Sequence, residues 1–188
     1  KSFTLDAAAI PAGRGDGVPV DTLVHSAASD IVWMGCGDPA RPLLMNSSAG
    51  LGFLCKLGDL AAKTRQGKDF MSLGEGARAQ APFVLEAAPA RAFIAALSSD
   101  ARLLLFPLAE VPVRPNGGVG VQLIGIPPGE KLASVAVTDG KSLVVSGVRR
   151  KNRAFETLDA KQLAAHLGKR AQRGRLCDAG FRPDRLAR

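Results

Sequence analysis

The chain has 188 residues, 46% of them apolar, enough to bury one sizeable core, and reads as a single domain spanning 1–188. Its 25 Lys/Arg exceed its 17 Asp/Glu, a net charge of +8 that suits a polyanionic partner but alone does little more than keep a protein soluble. The longest apolar run, 103–108, is broken by Pro107 and falls far short of the roughly 18 residues a membrane span needs, while Cys36, Cys55 and Cys177 are odd in number, widely separated and lack C-x-x-C spacing, which argues against a disulfide framework and a zinc site and fits a reducing cytoplasm.

The chain opens at Lys1 without an initiator Met or a leader-like apolar stretch, so it reads as an excerpt of a longer protein. Gly13-Arg14-Gly15-Asp16-Gly17 resembles the joint that follows a hairpin, with that hairpin lying upstream, so the opening blades of an array are expected to be missing. Three segments then share one pattern at a spacing of about 50 residues: 43–60, 93–111 and 142–163. In each, an apolar run rich in strand formers meets a polar turn and a second apolar run, which predicts a β-hairpin; the turns fall at 46–50, 98–101 and 147–152. Gly-rich joints follow each hairpin, at Arg65-Gln66-Gly67-Lys68, Arg114-Pro115-Asn116-Gly117-Gly118 and Arg173-Gly174-Arg175. Small repeated sheets cannot bury both faces without neighbours, so the prediction is an all-β, propeller-like array with approximate blades at 1–67, 68–117 and 118–188. One short helix is predicted near 159–167, with Asp159 as N-cap, Gln162 as its capping-box partner, Leu158 and Leu163 as a hydrophobic staple and Gly168 as the stop. It would present Lys169 and Arg170 where the helix dipole favours cations.

Charge is unevenly placed. Residues 1–140 carry 12 Lys/Arg against 13 Asp/Glu, whereas residues 141–188 carry 13 against 4. Clustered cations bind duplex nucleic acid better than dispersed ones, because affinity grows with the number of phosphates neutralised together. The third hairpin tip reads Val148-Arg149-Arg150-Lys151-Asn152-Arg153 where the earlier tips carry Asn46-Ser47-Ser48-Ala49-Gly50 and Ser98-Ser99-Asp100-Ala101. Four cations within five residues repel one another unless an anion neutralises them. The bland alternative is a solvated basic face followed by a disordered tail, 182–188.

Catalysis finds little support. His25, His166 and the cysteines are not paired at ligand or nucleophile spacing, and the glycine clusters 50–52 and 117–120 complete no nucleotide-binding loop. Arg14-Gly15-Asp16 and the sequon Asn46-Ser47-Ser48 need an exported protein and read as coincidence. With one Trp, no Tyr and most of the eight Phe inside apolar strand runs, a stacking platform for unpaired bases is not expected.

The stretches Pro11-Ala12-Gly13-Arg14-Gly15-Asp16-Gly17, Leu51-Gly52-Phe53-Leu54-Cys55 through Asp59-Leu60, Leu104-Leu105-Phe106-Pro107 with Val111-Pro112, and Arg170-Ala171-Gln172-Arg173-Gly174-Arg175-Leu176 resemble, in order and spacing, the C-terminal β-pinwheel domain of the A subunits of gyrase and topoisomerase IV, specifically the topoisomerase IV branch. The Gln-Arg-Arg-Gly-Gly-Lys-Gly box that marks gyrase is absent. The resemblance implies an open pinwheel whose basic rim binds and bends duplex DNA. It implies partners in the rest of the same polypeptide and in the separate ATPase chain of the enzyme, with ATP and Mg²⁺ used elsewhere in the holoenzyme, no cofactor in this domain, and a nucleoid-associated setting in the bacterial cytoplasm. Strand cleavage needs a tyrosine nucleophile and the chain has no Tyr, so the domain is expected to be non-catalytic. The expected DNA footprint is Arg149, Arg150, Lys151, Arg153, Lys169, Arg170, Arg173 and Arg175, extended by Lys141, Lys56, Lys63, Arg65 and Lys68. The alternatives are a protein-interaction propeller that docks a chromosome-segregation partner and an enzyme of unrecognised type.

Overall fold

The computed structural model describes residues 1–10, 13, 15–24, 26–27, 30–85 and 91–187. Its strands, in chain order, are β1 (Pro42–Asn46), β2 (Leu51–Lys56), β3 (Phe83–Val84), β4 (Phe93–Ser98), β5 (Arg102–Pro107), β6 (Val121–Gln122), β7 (Leu132–Thr138), β8 (Ser142–Arg149), β9 (Asn152–Asp159), β10 (Arg175–Leu176) and β11 (Arg182–Ala187). All three expected hairpins form, as β1–β2, β4–β5 and β8–β9.

The hairpins do not stand alone. The first sheet runs β3-β1-β2-β6, the second β7-β4-β5-β10 and the third β11-β8-β9. The strand that leaves each later hairpin is donated backwards: β6, after the second hairpin, pairs with β2, and β10, after the third, pairs with β5. Glycine permits both transfers. Gly120 and Gly174 have φ of +85° and +74°, and a Cβ on either would come within 2.6 Å of the Gly52 carbonyl oxygen or 2.7 Å of the Leu103 carbonyl oxygen. A backbone latch recurs beside each transfer. Leu54 N–H donates to Pro112 O while Arg114 N–H donates to Leu54 O, and Leu105 N–H donates to His166 O while Gly168 N–H donates to Leu105 O.

The core is layered between sheets. Leu44 of the first sheet meets Ile94, Ala96, Leu104 and Phe106 of the second. The opposite face of the second sheet, Ala95, Leu97, Leu103 and Leu105, meets Leu143, Val145, Leu158 and Leu186 of the third. Both faces of β4 and β5 are therefore dry, which is why these strands read as unbroken apolar runs rather than alternating ones. The far face of the first sheet, with Leu43, Phe53 and Cys55, is covered by Phe70, Trp33 and Met71.

Three features depart from the sequence reading. The short helix α2 spans Ala160–Ala164, with the expected capping box between Asp159 and Gln162, but it ends before 167 because residues 166–168 pair alongside β5 instead. Lys169 and Arg170 therefore lie beyond its last turn. A second helical turn, α1 (Val20–Leu23), has too little apolar periodicity to be read in advance. The basic tail is ordered as β11 through Ala187, paired with β8, and its Pro183 sits next to a bulge that tolerates the missing N–H.

Candidate nucleic-acid interface

The third hairpin closes with a two-residue loop, since Arg149 pairs with Asn152 and leaves Arg150 and Lys151 at the tip. Their φ values are +48° and +75°. That left-handed geometry is what a tight hairpin loop of type I′ demands and Asn-Gly normally supplies. At the other two tips only the last residue is left-handed, Gly50 in one and Ala101 in the other. Arg149, Arg150 and Lys151 are exposed and have no side-chain hydrogen bond or ion pair among the described residues.

The remaining expected contacts divide by what already holds them. Arg153 makes a two-pronged pair with Asp184 at 3.1 and 2.7 Å and donates to Ser146 Oγ at 2.9 Å, tying β9 across β8 to β11. Arg173 pairs with Glu130 at 2.7 Å, and Arg170 donates to the Gln122 carbonyl at 2.8 Å, so both fasten the third joint to the region of β6. Lys68 donates to the Asp59 carbonyl at 2.7 Å and its Nζ lies 5.0 Å from the centre of the Phe70 ring. Lys141 lies 3.5 Å from Asp139, whose pKa is lowered chiefly by the Lys141 backbone N–H. Lys56, Lys63, Arg65, Lys169 and Arg175 are exposed, with none of these side-chain restraints. The first three belong to the exit of the first hairpin and Arg175 to the edge of the second sheet, so the footprint is spread over three sheets rather than gathered at one spot.

Two cations were missed by sequence reasoning. Arg182 aligns with Val148 and Arg153 in one row across the third sheet and reaches the Ser99 carbonyl at 2.6 Å and Asp100 at 3.2 Å. Arg185, one row further, is exposed and free among the described residues. Both sit in the segment read as a tail, where Pro183 and the closely spaced charges hide the alternation of a strand.

Catalytic groups do not converge among the described residues. No three His, Cys, Asp or Glu side chains approach metal-binding geometry. Burial pushes the Cys55 thiol up to about 12 and the Cys177 thiol up to about 11, far from a reactive thiolate. Two clefts beside Arg182, of about 440 and 400 Å³, are lined by no nucleophile–base pair. Asn46 is 1% exposed and donates to the Ala81 carbonyl, so the sequon is sterically closed. Arg14 and His25 lie outside the described residues. No helix among the described residues is long and apolar enough to cross a membrane.

Stacked hairpin sheets that hand strands to their predecessors, with no closed ring among the described residues and with basic side chains at tip and joints, define a β-pinwheel. Residues 93–139 match the family described as the DNA gyrase C-terminal domain, beta-propeller. The chain is 34% identical over 181 residues to the A subunit of DNA topoisomerase 4 from Neisseria gonorrhoeae, covering 94% of this chain and 23% of that protein. Against the corresponding A subunit of Escherichia coli K12 it is 32% identical over 195 residues, covering 99% and 25%. The solved E. coli ParC C-terminal domain matches with a TM-score of 0.84 at 29% identity, covering 98% of this chain and 76% of that one. The chain belongs to the family of C-terminal β-pinwheel domains of the gyrase and topoisomerase IV A subunits. It spans about a quarter of the length of the curated relatives it matches.

Proposed function

We propose that this chain is a non-catalytic domain that binds and bends duplex DNA and presents a transfer segment to the strand-passage machinery of a type II topoisomerase. The observation that carries this reading is the third hairpin tip. Arg150 and Lys151 occupy two left-handed positions that Asn and Gly would fill at lower cost, and with Arg149 they lack any protein anion among the described residues. A backbone strained to display two bare cations fits a phosphate ligand. The anchored cations Arg153, Arg170 and Arg173 shape the rim, while the unrestrained ones, Lys56, Lys63, Arg65, Lys169 and Arg175, extend the path. Contacts of this kind read phosphates and deformability rather than base order.

In this reading the partners are duplex DNA, the rest of the topoisomerase A polypeptide and the separate ATPase chain. ATP and Mg²⁺ act in those other parts, and this domain requires no cofactor. Since the chain has no Tyr, the cleavage nucleophile belongs to another part of the enzyme. The setting is the bacterial cytoplasm, at the nucleoid.

Equilibrium binding to a relaxed duplex across a salt series tests the reading. Log affinity should fall with log salt at about −0.9 per neutralised phosphate, and a variant with Arg149, Arg150, Lys151 and Arg153 changed to Ala should bind more weakly with a shallower slope. Equal slopes and affinities for the two proteins would remove the tip from the interface. Retention of a protein partner at moderate salt by the same variant would favour the docking alternative.

A further inference from the structure

The third sheet is the last of the three described, and no other sheet covers its Phe155 face among the described residues. Side chains alternate along β9, so Leu158 points into the core while Arg153, Phe155 and Thr157 point outward. Register across the sheet brings Val148, Arg182 and Arg185 to the same outer face, with Phe155 in the row of Ser146 and Arg185. Phe155 is 66% exposed, whereas the other seven phenylalanines are buried or half-buried. Val148 beside it is 51% exposed. In the middle strands of the array such residues are dry, so the sequence gives no warning that this one is wet.

An aromatic ring in the open costs solvation, and its neighbours narrow what could cover it. Three arginines share the face: Arg153 is paired with Asp184 and Arg182 with Asp100, which leaves Arg185 without an ion pair among the described residues. The face is therefore apolar at its centre and cationic around it, complementary to a flat, uncharged ring carried on a phosphate chain. A second copy of the same face would set arginines against arginines. We infer that Phe155, flanked by Val148, is a stacking contact for a base that has left the helical stack, as at a kinked step of bent DNA, with the unpaired Arg185 holding an adjoining phosphate. Aromatic stacking of this kind tolerates any base sequence, and apolar wedges at opened base steps recur in proteins that bend DNA. The inference rests on the DNA-binding reading above and adds a non-ionic contact to it.

Two DNA probes test it: a fully paired duplex, and the same duplex carrying one unpaired 2-aminopurine. The wild-type chain should bind the second at least about fivefold more tightly and quench the 2-aminopurine fluorescence. Phe155→Ala should lose both the preference and the quenching while its affinity for the paired duplex stays within about twofold, since the phosphate contacts are intact. Phe155→Trp should retain both, which separates loss of stacking from loss of fold. Equal binding of the two probes by wild type, or quenching unchanged in Phe155→Ala, overturns the stacking contact and leaves phosphate binding standing. Failure of wild type to bind the paired duplex at low salt sinks both. A Phe155→Ala variant that alters self-association or protein capture but no DNA property assigns the face to a protein and overturns the inference.

Discussion

At Arg150 and Lys151 the left-handed backbone costs about 1–2 kcal/mol per residue relative to glycine. Changing the pair to Asn-Gly should therefore raise the urea midpoint by an amount worth about 1–2 kcal/mol while duplex affinity drops, a trade visible by measuring both on one variant. Asp184 poses the opposite case, since its carboxylate occupies the Arg153 guanidinium. Asp184→Asn should free that cation, so duplex affinity rises and the salt slope steepens by up to about 0.9, with a stability loss below about 1 kcal/mol for a half-exposed pair. His166 sits at the latch on β5, its Nδ1 buried without a partner. Burial holds its pKa below the ordinary 6.5; a hydrogen bond with the Leu103 backbone opposes this, and the charge of Arg175 adds to it. The unfolded chain thus takes up the proton first, so stability is full above 6.5 and is lost as pH falls from there toward the folded value. Thermal melts from neutral to mildly acid pH should show that loss in wild type and a flatter profile in His166→Gln.

The hairpins were legible because each is a long enough pairing to leave an apolar run on either side of a polar turn. The two-residue strands β3, β6 and β10 were not, since so short a pairing has no period and its partner lies in another repeat. The same distance hid part of the candidate site. The basic tip could be read from Val148 to Arg153 alone, but nothing near Arg153 announces Asp184, 31 residues on, and nothing in Phe155 tells an end sheet from a middle one. Element packing also makes one glycine testable. A Cβ at Gly147 would fall 2.2 Å from the Arg182 carbonyl oxygen and 2.7 Å from the Phe181 ring. Gly147→Ala should therefore push β11 off β8, read as lost amide-exchange protection over 182–187 with β4 and β5 unaffected; unchanged protection there would mean that the strand can shift aside.

Across the whole molecule the layers are unequal. The second sheet is buried on both faces, while the third lacks a fourth strand and leaves the outer edge of β9 unpaired among the described residues. Local opening should begin there, so β9 amides should exchange faster than those of β2 and β5, whereas Phe106→Ala in the middle should cost about 3–5 kcal/mol and weaken every layer together. The backward gift of strands has a mechanical side as well. A pull on the tip at Arg150 runs down β9, through α2 and the Leu105 latch, into β10, which is bonded into the second sheet; that sheet's own exit strand lies in the first. Load applied at one end is thus shared as shear by three sheets instead of peeling one away. In the DNA-bending role proposed above, the bent duplex would recoil like a stiff spring, and a rim woven in this way would resist unravelling from its weakest edge.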